Sequence, residues 1–327
     1  MLALGLQGSP RRKGNSDLLL AMFLQALHRK GADTQTIQVV RRHIEPCKEL
    51  TVCERKGYCP IDDDMGREIY GLLRQADIIV AAAPIFFYNM PAQLKALVDR
   101  CQTLWARKYA LKLKDPGHGV RRGFLLGVGA TRGKQLFDGM HLTAKYFFDA
   151  AAAAYAGSLT FHGVEGRGDI LKQSGLEEQV AQAADQLLEG LSGRRKVLFA
   201  CRENACRSQM AAAFARLHAG QRLDAASAGS QPARSVNPMM IEAMQELGID
   251  MAYLGTQSLE TAVAGNMPDE IITVGCGEQC PVLPGVERQD WELPDPAGQS
   301  MEIMRRVRDQ IEEHVKAYIA ALQHLSK

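Results

Sequence analysis

The sequence contains no long apolar run. Nowhere do about 18 apolar residues follow one another, so no membrane-spanning helix is expected. It also has no block of six or more Lys and Arg, and its net charge is only +2. Neither nucleic acid nor an anionic membrane surface is therefore an expected partner. The first apolar run, residues 1–6, is too short for a secretion signal, and Arg11 and Arg12 follow it rather than precede it. A cytoplasmic location is expected. An extracellular disulfide framework is missing too. The eight cysteines cluster as Cys47/Cys53/Cys59 and Cys201/Cys206/Cys276/Cys280, with Cys101 alone. In a long chain without a leader, such clusters point to redox or metal chemistry.

What is present is enough apolar residue, 46% of 327, for packed cores, and a length that suits two domains. Strand-like runs at residues 2–6, 36–40, 78–82, 123–128 and 158–161 alternate with helical patterns at 16–29, 90–105 and 135–154. The Ala150 to Ala154 run reads as a closely packed helix end. A segment with Gly190, Ser192, Gly193 and two arginines, residues 187–195, reads as a linker. The alternation then restarts: strand 196–200, helix 208–218, strand 223–227, helix 238–247, strand 270–274 and helix 301–322. Both halves predict α/β domains with a parallel sheet covered on both faces, bounded as 1–190 and 195–327.

In the second half, Cys201-Arg202-Glu203-Asn204-Ala205-Cys206-Arg207-Ser208 lies between a strand and a helix. Such a turn aims backbone N–H groups and a helix N-terminus into one concavity, which suits a tetrahedral oxyanion and favours a Cys201 thiolate. Arg207 can grip two anion oxygens with its planar fork, and Ser208 can donate to the thiolate. The bland reading is a buried cysteine beside an incidental arginine. A second Cys-x5-Arg, from Cys101 to Arg107, falls inside a helical pattern and reads as structural. An attacking thiolate needs an acid for the departing oxygen. Asp295, flanked by Pro294 and Pro296, is the candidate; the alternative is a turn Asp before the last helix. His218 and His314 read as surface residues on helices.

From Val197 on, the sequence resembles the arsenate reductases that share the low-molecular-weight tyrosine phosphatase fold. The matching segments are Cys201 to Met210, Ser227-Ala228-Gly229, Val236-Asn237-Pro238, Gly275-Cys276-Gly277-Glu278-Gln279-Cys280-Pro281, and Asp290-Trp291 through Gly298. The resemblance implies a thioredoxin-coupled enzyme. In it Cys201 attacks arsenate, Asp295 protonates departing oxygen, and Cys276 and Cys280 finish the two-electron reduction as a disulfide. A zinc pair is the alternative for those two cysteines, but no second pair stands at zinc-site spacing. Cys206 reads as structural. Some relatives place a Glu where this sequence has Ala212 and use it near potassium, so no such ion is expected. A tyrosine phosphatase would carry aromatics after the acid; here Pro296-Ala297-Gly298 offers none.

In the first half, Gly8-Ser9-Pro10-Arg11-Arg12-Lys13-Gly14-Asn15-Ser16 joins a strand to a helix as a phosphate cradle, matching neither a dinucleotide fingerprint nor a Walker loop. Past a later strand, Ala83-Pro84-Ile85-Phe86-Phe87-Tyr88-Asn89-Met90-Pro91 suits a flat ring system at the sheet's carboxyl edge; otherwise it simply packs on a neighbour. These segments resemble the flavodoxin-like NADPH-dependent FMN reductases over about residues 1–185, and most closely their iron–sulfur flavoprotein branch. The resemblance implies an FMN site with the phosphate on Ser9, Arg11, Asn15 and Ser16. The ring would lie on Pro84, Ile85, Phe86, Phe87 and Asn89, NAD(P)H would donate electrons, and the chain would form a homo-oligomer. The branch's cluster motif is Cys-x2-Cys-x2-Cys-x5-Cys. Here Cys47, Cys53 and Cys59 remain, and Leu50 stands where the second ligand would be, so the iron–sulfur motif is incomplete. Three thiolates with an outside ligand are the alternative for a cluster; free thiols or a disulfide are the favoured state, and no metal site is expected.

Three readings of the whole follow. One is an arsenate reductase fused to an NAD(P)H:FMN oxidoreductase. The second is a protein tyrosine phosphatase with a flavin redox module. The third is a non-catalytic oxyanion or flavin sensor.

Overall fold

The computed structural model describes residues 1–264, 267–275 and 284–325. It forms two compact units, Met1–Lys112 with His118–Glu189, and Leu113–Gly117 with Gly190–Lys327. Within the second unit Lys114 pairs by backbone with Gly248 and Asp250, at 2.7 and 2.9 Å.

The first unit runs β1 (Leu2–Gln7), α1 (Asn15–Arg29), β2 (Asp33–Gln38), α2 (Val52–Lys56), α3 (Tyr70–Gln75), β3 (Ile78–Pro84), α4 (Ala92–Arg100), α5 (Gln102–Tyr109), β4 (Arg122–Val128), α6 (Asp138–Ala150), β5 (Ala154–Phe161) and α7 (Leu176–Leu188). All five strands are parallel, in the order β2-β1-β3-β4-β5. This is the flavodoxin-like doubly wound order, whose switch point lies between β1 and β3. The central strand β3 begins Ile-Ile-Val-Ala-Ala-Ala, and all six residues are buried. A parallel strand covered on both faces is apolar throughout rather than alternating. α1 buries Leu19, Leu20, Phe23, Leu24 and Leu27, one stripe at helical spacing.

The second unit runs β6 (Arg195–Cys201), α8 (Arg207–Ala219), β7 (Leu223–Gly229), α9 (Pro238–Glu246), α10 (Leu259–Val263), β8 (Glu270–Val274), β9 (Glu287–Trp291) and α11 (Met301–Leu325). Its four strands are parallel in the order β7-β6-β8-β9, a low-molecular-weight phosphatase-like sheet. α8 is buried without a break from Arg207 to Ala215. Its alanines, Ala211, Ala212, Ala213 and Ala215, let the sheet and α11 approach closely.

Several sequence expectations shift. The strand read at 36–40 lies at Asp33–Gln38, because the apolar Val39 and Val40 enter a 3-10 turn that buries Val39. The single helix read at 90–105 is two, α4 and α5, meeting at Cys101. Cys101 is buried, and desolvation pushes its thiol up to about 12. Arg107 donates to the Gly57 carbonyl at 2.8 Å. The second Cys-x5-Arg is therefore packing, as its helical pattern implies. The Ala150–154 run is the turn from α6 into β5, with Ala152 left-handed at φ 55°. Strand β9 has no counterpart in the sequence reading: Glu-Arg-Gln-Asp-Trp buries only Trp291 and forms a sheet edge, so it lacks an apolar signal.

Candidate functional site

In the first unit the loops after β1 and β3 meet at the carboxyl edge of the sheet, at its switch point. Ser9, Arg11, Asn15, Ser16, Pro84, Ile85 and Phe86 line one cavity of about 240 Å³. The N-cap of α1 is Gly14, which supplies no side-chain acceptor to the helix's first N–H groups. A phosphate fits that place, because those donors need an acceptor and the helix dipole favours an anion. Apolar walls from Val128, Ala130 and Val164, with Arg167 and Glu165, complete the cavity. The sequence reading missed these five, which come from the ends of β4 and β5 and the loops after them. Asn15 also braces the last of these loops. Its amide donates to Gly166 O at 2.8 Å, and its Oδ1 accepts from Gly168 N at 2.9 Å.

Phe87 and Asn89 do not line the cavity. Phe86 and Asn89 exchange backbone hydrogen bonds of 2.9 and 3.0 Å, which puts Phe87 and Tyr88 at the tip of a tight turn. Both are left-handed, at φ 47° and 64°. That conformation is costly for aromatic residues. It leaves the Phe87 ring fully exposed, while Asn89 Oδ1 accepts from Met90 N at 2.8 Å.

In the second unit Cys201 ends β6, and the following loop closes at the N-terminus of α8. Cys201 Sγ lies 3.0 Å from Ser208 Oγ. The Asn204 amide donates to the same hydroxyl at 2.9 Å, so the Ser208 proton is available to the sulfur. Asn204 is fixed in turn, because its Oδ1 accepts from Gln257 N at 2.9 Å. It is fully buried and left-handed, at φ 50°. The sequence reading passed over Asn204, although an asparagine in an anion loop is a reasonable left-handed candidate. Gly229, at the end of the neighbouring strand, is equally structural. A Cβ there would stand 2.7 Å from Arg202 O and 2.8 Å from Asn204 N.

Arg207 donates from Nη1 to the Gly275 and Leu293 carbonyls, both at 3.2 Å. Its Nη2 lies 3.1 Å from Asp295 Oδ2. The carboxyl is 60% exposed, so this pair adds little stability, but it puts the acid on the same site as the loop. Cys201, Arg207, Ser208 and Asp295 are thus brought together. Cys276 and Cys280 lie outside the described residues. Cys206 is buried against Met304, at 3.4 Å between the sulfurs. Desolvation, then the Cys201 charge, push its thiol up to about 12, which makes it a poor nucleophile.

Comparison with known proteins agrees with this division. Residues 1–135 match the NADPH-dependent FMN reductase family, and residues 196–327 match the low molecular weight phosphotyrosine protein phosphatase family. An iron–sulfur flavoprotein of Methanosarcina thermophila is 37% identical over 145 residues, 42% of this chain and 72% of that protein. A glutaredoxin arsenate reductase of Synechocystis sp. is 37% identical over 130 residues, 39% of this chain and 98% of that protein. The chain is a fusion of an FMN reductase/iron–sulfur flavoprotein-type domain with a low-molecular-weight phosphatase/arsenate reductase-type domain. A solved structure, the thioredoxin-dependent arsenate reductase of Corynebacterium glutamicum, is 29% identical over 47% of the chain and 78% of its own length, with a TM-score of 0.36.

At the cysteine loop of the flavoprotein-type domain, the four-cysteine pattern that the sequence resemblance implies is incomplete. Cys47, Cys53 and Cys59 are free and line one cavity of about 450 Å³ together with Leu50. Among the described residues, no three His, Cys, Asp or Glu side chains stand as a ready metal site. The donor set does not fit a four-cysteine cluster, because leucine supplies no ligand. Also among the described residues, no helix is long and apolar enough to cross a membrane.

Proposed function

We propose that the phosphatase-type domain reduces arsenate to arsenite, and that the flavoprotein-type domain is an NAD(P)H-dependent FMN oxidoreductase. The observation that carries the first part is the relay Gln257–Asn204–Ser208–Cys201 at the N-terminus of α8. It aims the Ser208 hydroxyl at the Cys201 sulfur, beside the helix N-terminus and Arg207 that would receive a tetrahedral oxyanion. Cys201 Sγ attacks arsenic, and one oxygen leaves as water with a proton from Asp295. Cys276 then attacks Cys201 Sγ. The S–As bond breaks, its electron pair stays on arsenic, and arsenite departs as a Cys201–Cys276 disulfide forms. Cys280 attacks Cys276, which frees Cys201 and leaves a Cys276–Cys280 disulfide for an external dithiol such as thioredoxin. The absence of aromatic residues after Asp295 favours an inorganic oxyanion over a phosphotyrosine.

The test is arsenite formation by the full chain with thioredoxin or glutaredoxin, beside hydrolysis of an aryl phosphate. Sustained arsenite release supports the reading. Phosphate release without arsenite overturns it in favour of a phosphatase. Cys280→Ser is expected to stop after about one equivalent of arsenite, with the Cys201–Cys276 disulfide trapped. Continued turnover with thioredoxin would contradict that order of thiol exchange.

In the flavoprotein-type domain, FMN would supply two-electron transfer from NAD(P)H. Arg11, Ser9, Ser16 and the α1 N-terminus would hold its phosphate, and Pro84, Ile85 and Phe86 would wall its ring. The 240 Å³ cavity is smaller than the roughly 300–1,000 Å³ that encloses a ligand of this size. A second copy of the chain would then cover the rest, so a homo-oligomer is part of the proposal. Arg11→Ala is expected to raise the FMN dissociation constant about 10- to 150-fold by removing a charge-assisted contact. Flavin fluorescence titration measures it; unchanged affinity would move the phosphate elsewhere.

A further inference from the structure

The cysteine loop of the flavoprotein-type domain carries three thiols, and the count of donors bears on what it can hold. Three thiols leave tetrahedral iron or zinc one ligand short, to be completed by water or an outside group. Trivalent arsenic is thiophilic and forms three bonds, with a lone pair in the fourth direction. Here the fourth motif position is Leu50, an apolar side chain on the cavity shared by Cys47, Cys53 and Cys59. A lone pair facing an apolar group leaves no polar atom unsatisfied.

Burial pushes the Cys53 thiol up, so a neighbouring cation matters to any thiolate there. Arg100 lines the same cavity, is almost fully buried, and its Nε has no hydrogen-bond partner. The loop is also anchored behind the thiols. Arg100 pairs with the fully buried Asp63 and donates to Glu45 O at 2.8 Å. Arg107 holds Gly57 O at 2.8 Å. Along this segment Glu49, Thr51 and Gly57 are left-handed, so the chain turns repeatedly, and all three cysteines line the cavity. The thiols line the cavity without forming a ready three-donor site, so a ligand held by all three would have to draw the loop inward.

We propose that Cys47, Cys53 and Cys59 form a binding site for trivalent arsenic. The proposal rests on the arsenate-reducing reading, because that reaction supplies arsenite in the same molecule. The step is an exchange without redox change. Arsenous acid loses its three hydroxyls as water, each taking one thiol proton, and three As–S bonds form.

The experiment adds sodium arsenite to the full chain carrying Cys201→Ser, Cys276→Ser and Cys280→Ser, so that the remaining accessible thiols are these three. About one equivalent of arsenic is expected to survive gel filtration, with three sulfur neighbours by X-ray absorption at the arsenic edge. Adding Cys47→Ser, Cys53→Ser or Cys59→Ser is expected to weaken retention at least tenfold, with circular dichroism reporting whether each variant remains folded. No retained arsenic, or equal retention in a folded variant lacking all three thiols, overturns the proposal. So does an iron–sulfur chromophore in the wild-type chain after anaerobic incubation with iron and sulfide. Because arsenite is supplied directly, a chain that reduces no arsenate yet binds arsenite here would fail the proposed function and keep this site.

Discussion

Cys201→Ser is expected to lower arsenate reduction by the full chain about 10³-fold or more, the scale seen when a nucleophile is removed from a catalytic unit. Two losses combine. A serine hydroxyl is scarcely ionised at neutral pH and is a far weaker nucleophile than a cysteine sulfur. Serine oxygen also cannot form the disulfide that carries electrons to arsenic. The fold should be unaffected. The replacement removes no packing volume of note from the end of β6, and Ser208, 3.0 Å from the sulfur, can still hydrogen-bond to an oxygen there. The measurement is arsenite formed per chain with thioredoxin present, alongside the melting temperature. Activity within tenfold of wild type in a folded variant would remove Cys201 from the mechanism.

Gly229→Ala carries the next largest effect, although Gly229 is distant from Cys201 in sequence. The added methyl would stand 2.7 Å from Arg202 O and 2.8 Å from Asn204 N. Both are backbone atoms of the anion loop, so no flexible side chain can absorb the clash. The expected stability loss is about 1–3 kcal/mol, typical of overpacking. Displacement of Asn204 would also break its 2.9 Å bond to Ser208 and misorient the hydroxyl that serves the thiolate. A misplacement of about 1 Å is expected to cost roughly 10²-fold in kcat. Gly255→Ala is the control, since a Cβ there meets nothing within 4 Å. If Gly229→Ala matched Gly255→Ala in both melting temperature and kcat, the close approach would have no catalytic importance.

The grouping of Cys201, Arg207 and Ser208 was legible in the sequence because it is local. A strand, a short loop and a helix follow one another, and β6 and α8 fall where the apolar pattern put them. The loop after β1, proposed to hold phosphate, was legible for the same reason. The loop proposed for the ring was half legible. Pro84, Ile85 and Phe86 line the cavity, but the backbone pair between Phe86 and Asn89 turns Phe87 and Asn89 away. Side-chain chemistry gave no sign of that turn, because bulky aromatics are uncommon at left-handed positions.

By itself the sequence determined the two families, two parallel α/β units, the Cys201 to Ser208 loop and the loss of a fourth cysteine at Leu50. Those features follow from residue type and short spacing. Only the tertiary structure decided which distant groups share a site. Strand order brings the ends of β4 and β5 and the loops after them, with Val128, Ala130, Val164, Glu165 and Arg167, onto the first cavity. It sets Asp295 beside Arg207 and brings Gln257 onto Asn204. It also places Cys47, Cys53 and Cys59 on one cavity with a buried arginine. Such contacts depend on sheet topology and on how closely two backbones can approach, and neither is encoded in the spacing of residues along one segment.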